Sequence, residues 1–427
     1  MGGSAFDGLR VVDFTTTIAG PHCTRLLADL GAEIVKIESP EGDMMRDRPP
    51  LRDGASTSFG QLNTGKKSLV LDLKRDEALT IARGLIAKAD VLVENFRPGV
   101  MRRLGLDYEA CAALNPALVY CAISGYGQTG PSADLPAYAP VIHAASGYDL
   151  AHLAHQGEPR RPDYCGIYIA DVLTGTYAFG AVVTALHQRR DSGHGQFIDV
   201  SMLESMLSLT LGEMQMAQFP MAPPGRPIFG PIATDDGFVN LSVASERTFR
   251  ALAAACERLD WIEDPRFAVY ADRRTHWGEL MEEVEGWSRP RSSAEVQRVF
   301  AAHGVPSSPY RTVKEAMADP QLAHRGAFTE VQDRGGSFLA LNPPFRLSRT
   351  HAAAQPFVAA LGEHSAALLA ELGYGEAEIA ALAAFGVTAC AAAAPAVSSV
   401  SAPGTVASAA AIPEVAAAAA AAPSADS

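Results

Sequence analysis

Cysteine is scarce in this chain. Six residues in 427 (Cys23, Cys111, Cys121, Cys165, Cys256 and Cys390) are scattered with no Cys-x-x-Cys pair. That spacing builds neither a disulfide framework nor a zinc site, and it fits reduced thiols in the cytoplasm. Long apolar runs are missing too: none approaches the roughly 20 residues that span a bilayer. The opening MGGSAFDGLR has neither the basic nor the apolar region of a signal peptide. Positive charge is in deficit, with 35 Lys and Arg against 48 Asp and Glu for a net charge of −13. A general nucleic-acid binder would need a basic face, so that class is excluded. The expectation is a soluble cytoplasmic protein with no nucleic-acid or membrane partner. Neither a dinucleotide site nor a P-loop is expected, which sets aside dehydrogenase and ATPase chemistry.

What is present is a regular alternation. LRVVDFT (9–15), AEIVKIE (32–38), KSLVLDL (67–73), ADVLVENF (89–96) and LVYCAISGYG (118–127) read as buried strands. Helical patterns over 20–31 and 76–88 separate several of them. Strands alternating with helices indicate parallel βαβ units and a doubly wound α/β sheet. Such sheets bind ligands at the carboxyl ends of their strands. Pro-rich FPMAPPGRPIFGP (219–231) reads as a linker, followed by a hairpin around Asp236-Gly237 and a smaller α+β region. The expected domains are 1–218 as the N-terminal part of a large domain, 219–325 as linker and small domain, and 326–388 as a return to the large domain. Residues 389–427, rich in Ala, Pro and Ser with only Glu414 and Asp426 charged, read as a disordered tail.

Two features carry chemistry. ENFRPGVMRRLG (94–105) concentrates Arg97, Arg102 and Arg103 just past a strand, with Lys66, Lys67 and Lys74 nearby in sequence. Guanidinium forks and helix-start amides both suit phosphoryl oxygens; the alternative is a solvated basic face. In CGIYIADVLTGTYAFGAV (165–182), Asp171 sits between an apolar run and a helix whose apolar stripe reads as Val172, Phe179, Val182, Val183 and Leu186. As a helix cap it would collect amide hydrogen bonds that hold it ionised. As an ionised carboxylate it could be a covalent nucleophile. No His-Glu-x-x-His spacing suggests a metal.

Together the motifs resemble the class III CoA-transferases, the family of formyl-CoA transferase and carnitine CoA-transferase. They are LRVVDFTTTIAGPHCTRLLADLGAEIVKIESPEGD, NTGKKSLVLDLK, ADVLVENFRPG, ISGYGQTGP, IADVLTGTYAFGAV, GHGQFIDVSMLESM and GEHSAALLAELGYGEAEIAALAAFGV, running in family order from about 8 to 388. The resemblance implies a Rossmann-like large domain with an inserted smaller one, in an interlocked homodimer. It implies that Asp171 is the nucleophile, passing CoA from an acyl-CoA to a free carboxylic acid through anhydride and aspartyl-CoA thioester intermediates. It further implies CoA contacts at Thr17, Ala19, Leu71, Lys74, Asn95, Phe96, Arg97, Arg103 and Tyr138. No cofactor or metal is implied, since CoA arrives with the substrate. Ile18, Ser39 and Pro136 replace a Gln, an Arg and a Lys of formyl-CoA transferase, so a formyl/oxalate pair is not expected. A small dicarboxylate acceptor is, with Arg46, Arg48, His143, Arg160, Arg161 and Arg226 as candidate anchors. The alternatives are a 2-methylacyl-CoA racemase, whose fold is shared but whose His–Asp pair is here Tyr138-Ala139, and a non-catalytic acyl-CoA-binding relative.

Overall fold

The structure is a computed structural model that describes residues 3–154, 161–162, 165–219 and 229–391. Its centre is a six-stranded sheet. In chain order the elements are β1 (Arg10–Asp13), α1 (Ala19–Asp29), β2 (Glu33–Glu38), β3 (Lys66–Val70), α2 (Asp76–Ile86), β4 (Val91–Glu94), β5 (Val119–Ser124), α3 (Ala139–Ala145), α4 (Ile169–Ser192) and β6 (Phe197–Ser201). The strands lie in the order β3-β2-β1-β4-β5-β6, and every pairing is parallel. This is the order of doubly wound α/β sheets, with its switch point between β1 and β4.

Short apolar runs covered on both faces explain the strands. In β1, Val12 faces a core with Val35, Leu92, Leu85 of α2 and Leu368. Its neighbour Val11 faces the opposite core with Ile34, Val91, Leu27 of α1 and Val182 of α4. The GYGQTG segment at 125–130 matches the letters of a dinucleotide fingerprint. It follows β5, however, and the next helix opens only at Ala139, so no helix N-terminus stands behind it.

α4 buries its small residues most deeply. Ala170, Thr174, Gly175, Ala178, Val182 and Ala185 are inside, Phe179 and Leu186 of the expected stripe pack half-buried on the same core, and Val172 is 43% exposed. The reason is close packing on α1: a Cβ at Gly175 would stand 2.4 Å from the Ala19 carbonyl oxygen, so the backbones touch and only small residues fit. α4 has the length and mean hydropathy (1.5) of a membrane span, yet it packs backbone to backbone on α1.

Beyond the sheet, β7 (Phe229–Ala233) and β8 (Phe238–Ser242) form the hairpin expected around Asp236-Gly237, and β9 (Ser307–Pro309) pairs with β8. Around it α5 (Glu246–Ala255), α6 (Trp277–Ser288) and α7 (Ser293–His303) enclose a core of their own, with Phe249, Trp261, Phe267, Trp277 and Phe300. α7 is capped at its start, with the Ser292 hydroxyl accepting the Glu295 N–H. A second hairpin, β10 (Phe328–Asp333) and β11 (Gly336–Leu341), precedes α8 (Ser365–Glu371) and α9 (Glu376–Ala384); Leu368 and Leu369 of α8 return to the sheet. Most of the linker and nearly all of the tail expected from 389 lie outside the described residues.

Candidate active site

The carboxyl edge of the sheet rests on a buried ionic network. Asp13 ends β1 and is fully buried; its carboxylate accepts the Thr15 N–H and hydroxyl at 2.8 and 2.5 Å. The Lys66 ammonium donates to Asp13 (3.1 Å), Thr24 Oγ1 (2.7 Å), Asn63 Oδ1 (3.0 Å) and the Pro21 carbonyl (3.0 Å). Lys36 bridges the Thr15 carbonyl at 2.7 Å and Asp43 at 3.0 Å. Burial pushes the Asp13 carboxyl up, but Lys66 and Lys36 overcome it and hold it below its usual range. Burial brings Lys66 down to about 8 despite Asp13. Lys66 therefore belongs to the interior and not to a basic ligand face.

This network shapes the loop after β1. Thr17 is left-handed (φ 69°), a strained conformation for a β-branched residue. The Asp43 carboxylate accepts its N–H at 3.4 Å. The loop is also tied to the one after β4: Asn95 accepts the Thr16 N–H and donates to the Thr16 carbonyl, both at 2.9 Å. Glu94 accepts the Phe96 N–H at 2.8 Å, and burial pushes its carboxyl up to about 8. It is therefore protonated at neutral pH.

The loops enclose a cavity of about 310 Å³ whose lining includes Phe14, Thr16, Leu71, Lys74, Phe96 and Leu104. Of the expected CoA contacts, Leu71, Lys74 and Phe96 line it. Asn95 spends its amide on Thr16, and Ala19 is buried against Gly175. Arg97 and Arg103 are exposed, do not line the cavity and have no ion pair among the described residues, whereas Arg102 is held by Asp107 at 3.2 Å. Tyr138, the N-cap of α3, is 62% exposed. Thr17 and Tyr138 do not line the cavity, nor does Asp171. Ile18 is packed with Met45 and Phe59, so it presents no polar group where the formyl-CoA enzyme has Gln.

Asp171 is the third residue of α4, whose N-cap is Tyr168. The expected capping bonds are not made: among the described residues its carboxylate accepts no hydrogen bond and has no ion pair. Burial alone pushes it up to about 6. The orientation of α4 places it usefully. Arg189, at the far end of the helix, binds Asp90 and the Ala117 carbonyl just before β4 and β5. The Asp171 end therefore lies at the carboxyl edge of the sheet, level with the start of α1. If Asp171 is the nucleophile, an acid limb near pH 6 is expected in kcat/KM, since the ionised form is lost as pH falls through that value. A profile flat down to pH 5 would exclude Asp171 as the titrating group.

The candidate acceptor anchors fare unevenly. Arg46 is clamped by Glu38 at 2.7 and 2.8 Å, while Arg48 and Arg161 are exposed. Arg160 and Arg226 lie outside the described residues. His143 is buried and its Nε2 accepts the Ala170 N–H at 3.1 Å, which a cation could not do. Sequence reasoning missed Asp43 and Glu94, which shape the loops, and no local pattern announces either.

A desolvated carboxylate, a cavity and two guanidinium groups, the carboxylate and guanidiniums without ion pairs among the described residues, share one edge of a doubly wound sheet. The sequence profile of CoA-transferase family III matches residues 6–365, and the chain belongs to that family. It is an enzyme that transfers CoA. The succinate–glutarate CoA-transferase of Agrobacterium fabrum is 33% identical over 86% of this chain and 95% of its own. The acetyl-CoA:oxalate CoA-transferase of Acetobacter aceti is 35% identical over 87% and 97%. A CaiB/BaiF family protein from Brucella suis superposes with a TM-score of 0.77 at 32% identity, over 87% of this chain and all of its own.

Proposed function

We propose that this enzyme moves CoA from succinyl-CoA, or a similar donor, to a small dicarboxylate, with Asp171 as the nucleophile. The observation that carries the reading is the Asp171 carboxylate, desolvated, without a hydrogen-bond or ion-pair partner among the described residues and ionised above about pH 6. It attacks the donor thioester carbonyl; the C–S bond breaks, leaving an acyl-aspartyl anhydride and CoA thiolate. The thiolate attacks the aspartyl carbonyl, releasing the donor acid and forming an aspartyl-CoA thioester. The acceptor carboxylate attacks that thioester, and the freed thiolate then attacks the acceptor carbonyl of the second anhydride. Acceptor acyl-CoA leaves and Asp171 is regenerated, with no net proton or water and no cofactor or metal step. Excluding water protects both anhydrides.

Leu71, Lys74 and Phe96 take the body of CoA in this reading, and the free Arg97 and Arg103 its phosphates. Thr17, Ala19 and Asn95 hold the loop, and Tyr138 stands on the acyl side. The separate core between Ile232 and Val305 supports a small domain inserted at 219–325 between the 1–218 and 326–388 parts of a Rossmann-like large domain. Ile167, Tyr168, Val172 and Tyr177, apolar and exposed around the start of α4, support burial in an interlocked homodimer. Sedimentation at twice the chain mass would accord with it. The six free thiols fit the cytoplasm.

Incubation with acyl-CoA donors and free acids, followed by mass spectrometry, tests the reading. Acceptor acyl-CoA and an adduct on Asp171 are expected. α-Proton exchange in a 2-methylacyl-CoA without an acceptor acid would instead mark a racemase.

A further inference from the structure

We propose that His143 is the positioning residue that aims Asp171, by holding the amide immediately before it; the inference rests on Asp171 being the nucleophile. The first amides of a helix have no acceptor within it, and Tyr168 gives α4 no side-chain cap. His143 of α3 supplies the acceptor from outside, Nε2 taking the Ala170 N–H at 3.1 Å. The histidine is 1% exposed and Ala170 0%, so water does not substitute. The other side of Ala170 is held as well, its carbonyl accepting the Thr174 hydroxyl at 2.6 Å.

An accepting Nε2 places the imidazole proton on Nδ1. Nδ1 faces Cys165 Sγ at 3.9 Å. One neutral ring thus links α3, the stretch entering α4 and the turn that carries the nucleophile. Among the described residues the groups around it are few. Cys165 stands at Nδ1, and the helix Tyr148–Ala154 brings the Tyr148 ring, centred 5.7 Å away, and Asp149. Asp171 is the charged group contributed by the first turn of α4. The Met202–Leu207 helix adds Met202 and Met206 to the adjoining core, while its one charged residue, Glu204, is exposed. Burial holds His143 below its usual pKa, against the pull of Asp149. Protonation would set N–H against N–H, break the bond to Ala170 and free the turn.

Two variants of the full chain and a pH profile test this, with the donor and acceptor found by the panel above. Glutamine retains an acceptor oxygen, so His143→Gln is expected to keep most of kcat. Leucine fills the space without accepting, and His143→Leu is expected to lower kcat by about 10- to 100-fold with KM for the acyl-CoA little changed. In the wild type the acid limb of log kcat/KM should reach a slope of two once both His143 and Asp171 are protonated; in His143→Gln it should stay at one. Unchanged kcat in His143→Leu, or an equal loss in both variants, overturns the proposal. If His143→Leu does not fold, the profiles decide, and the same slope in wild type and His143→Gln overturns it. A wild type that transfers CoA without an Asp171 adduct overturns the nucleophile instead, a distinguishable result.

Discussion

Asp171→Ala is expected to abolish CoA transfer, lowering kcat by at least about 10³-fold, while CoA still binds. The large loss follows from the proposed route, in which every step forms or breaks a bond at this carboxylate. Removing a covalent nucleophile leaves only binding and electrostatic assistance. Binding should survive because the cavity lining, Leu71, Lys74 and Phe96 among it, belongs to other elements of the sheet edge. Titration calorimetry with CoA, beside turnover, separates the two effects. Transfer at an undiminished rate would refute the nucleophile, whereas loss of CoA binding would mean that the variant had disturbed the edge itself.

The second large effect is on stability. Asp13→Ala should destabilise the fold by about 3–5 kcal/mol, the usual cost of breaking a buried pair from one side. Lys66 and Lys36 would remain buried with too little negative charge, and the Thr15 N–H and hydroxyl would lose their acceptor. Denaturant unfolding should show the shift, and the tied loops after β1 and β4 should lose protection in hydrogen exchange. A variant as stable as the wild type would mean that the network is dispensable.

The sheet was largely legible in the residues, because βαβ units announce themselves by alternating apolar runs: β1, β2, β4 and β5 fall within the runs expected for them, β3 starts one residue early at Lys66, and β6 had no run of its own. The site was legible only in part. Asp171 stands out by its place in CGIYIADVLTG, but the same letters favour a capped, well-bonded acid. Whether an acid near a helix start is N-cap or third residue depends on one turn of phase, which apolar flanks do not settle. Lys66 and Lys67 read alike, yet adjacent strand residues face opposite ways. Lys66 enters the Asp13 network, while Lys67 reaches out to Glu33 at 2.5 Å. The role of His143 depends on a contact between residues 27 apart and was invisible until α3 and α4 were in place.

The small-residue face of α4 has a mechanical consequence. Where Gly175 lets one helix backbone rest directly on another, no flexible side chain lies between them to absorb motion. The proposed nucleophile, without a hydrogen bond to its carboxylate among the described residues, is therefore a loose tip on a stiff mount. In the proposed cycle its carboxylate must meet a thioester, a thiolate and a second acid in turn. Tethering hydrogen bonds would have to be broken and remade each time. A fixed base leaves the reach of Asp171 unchanged through the cycle, and an untethered end lets it turn to each partner.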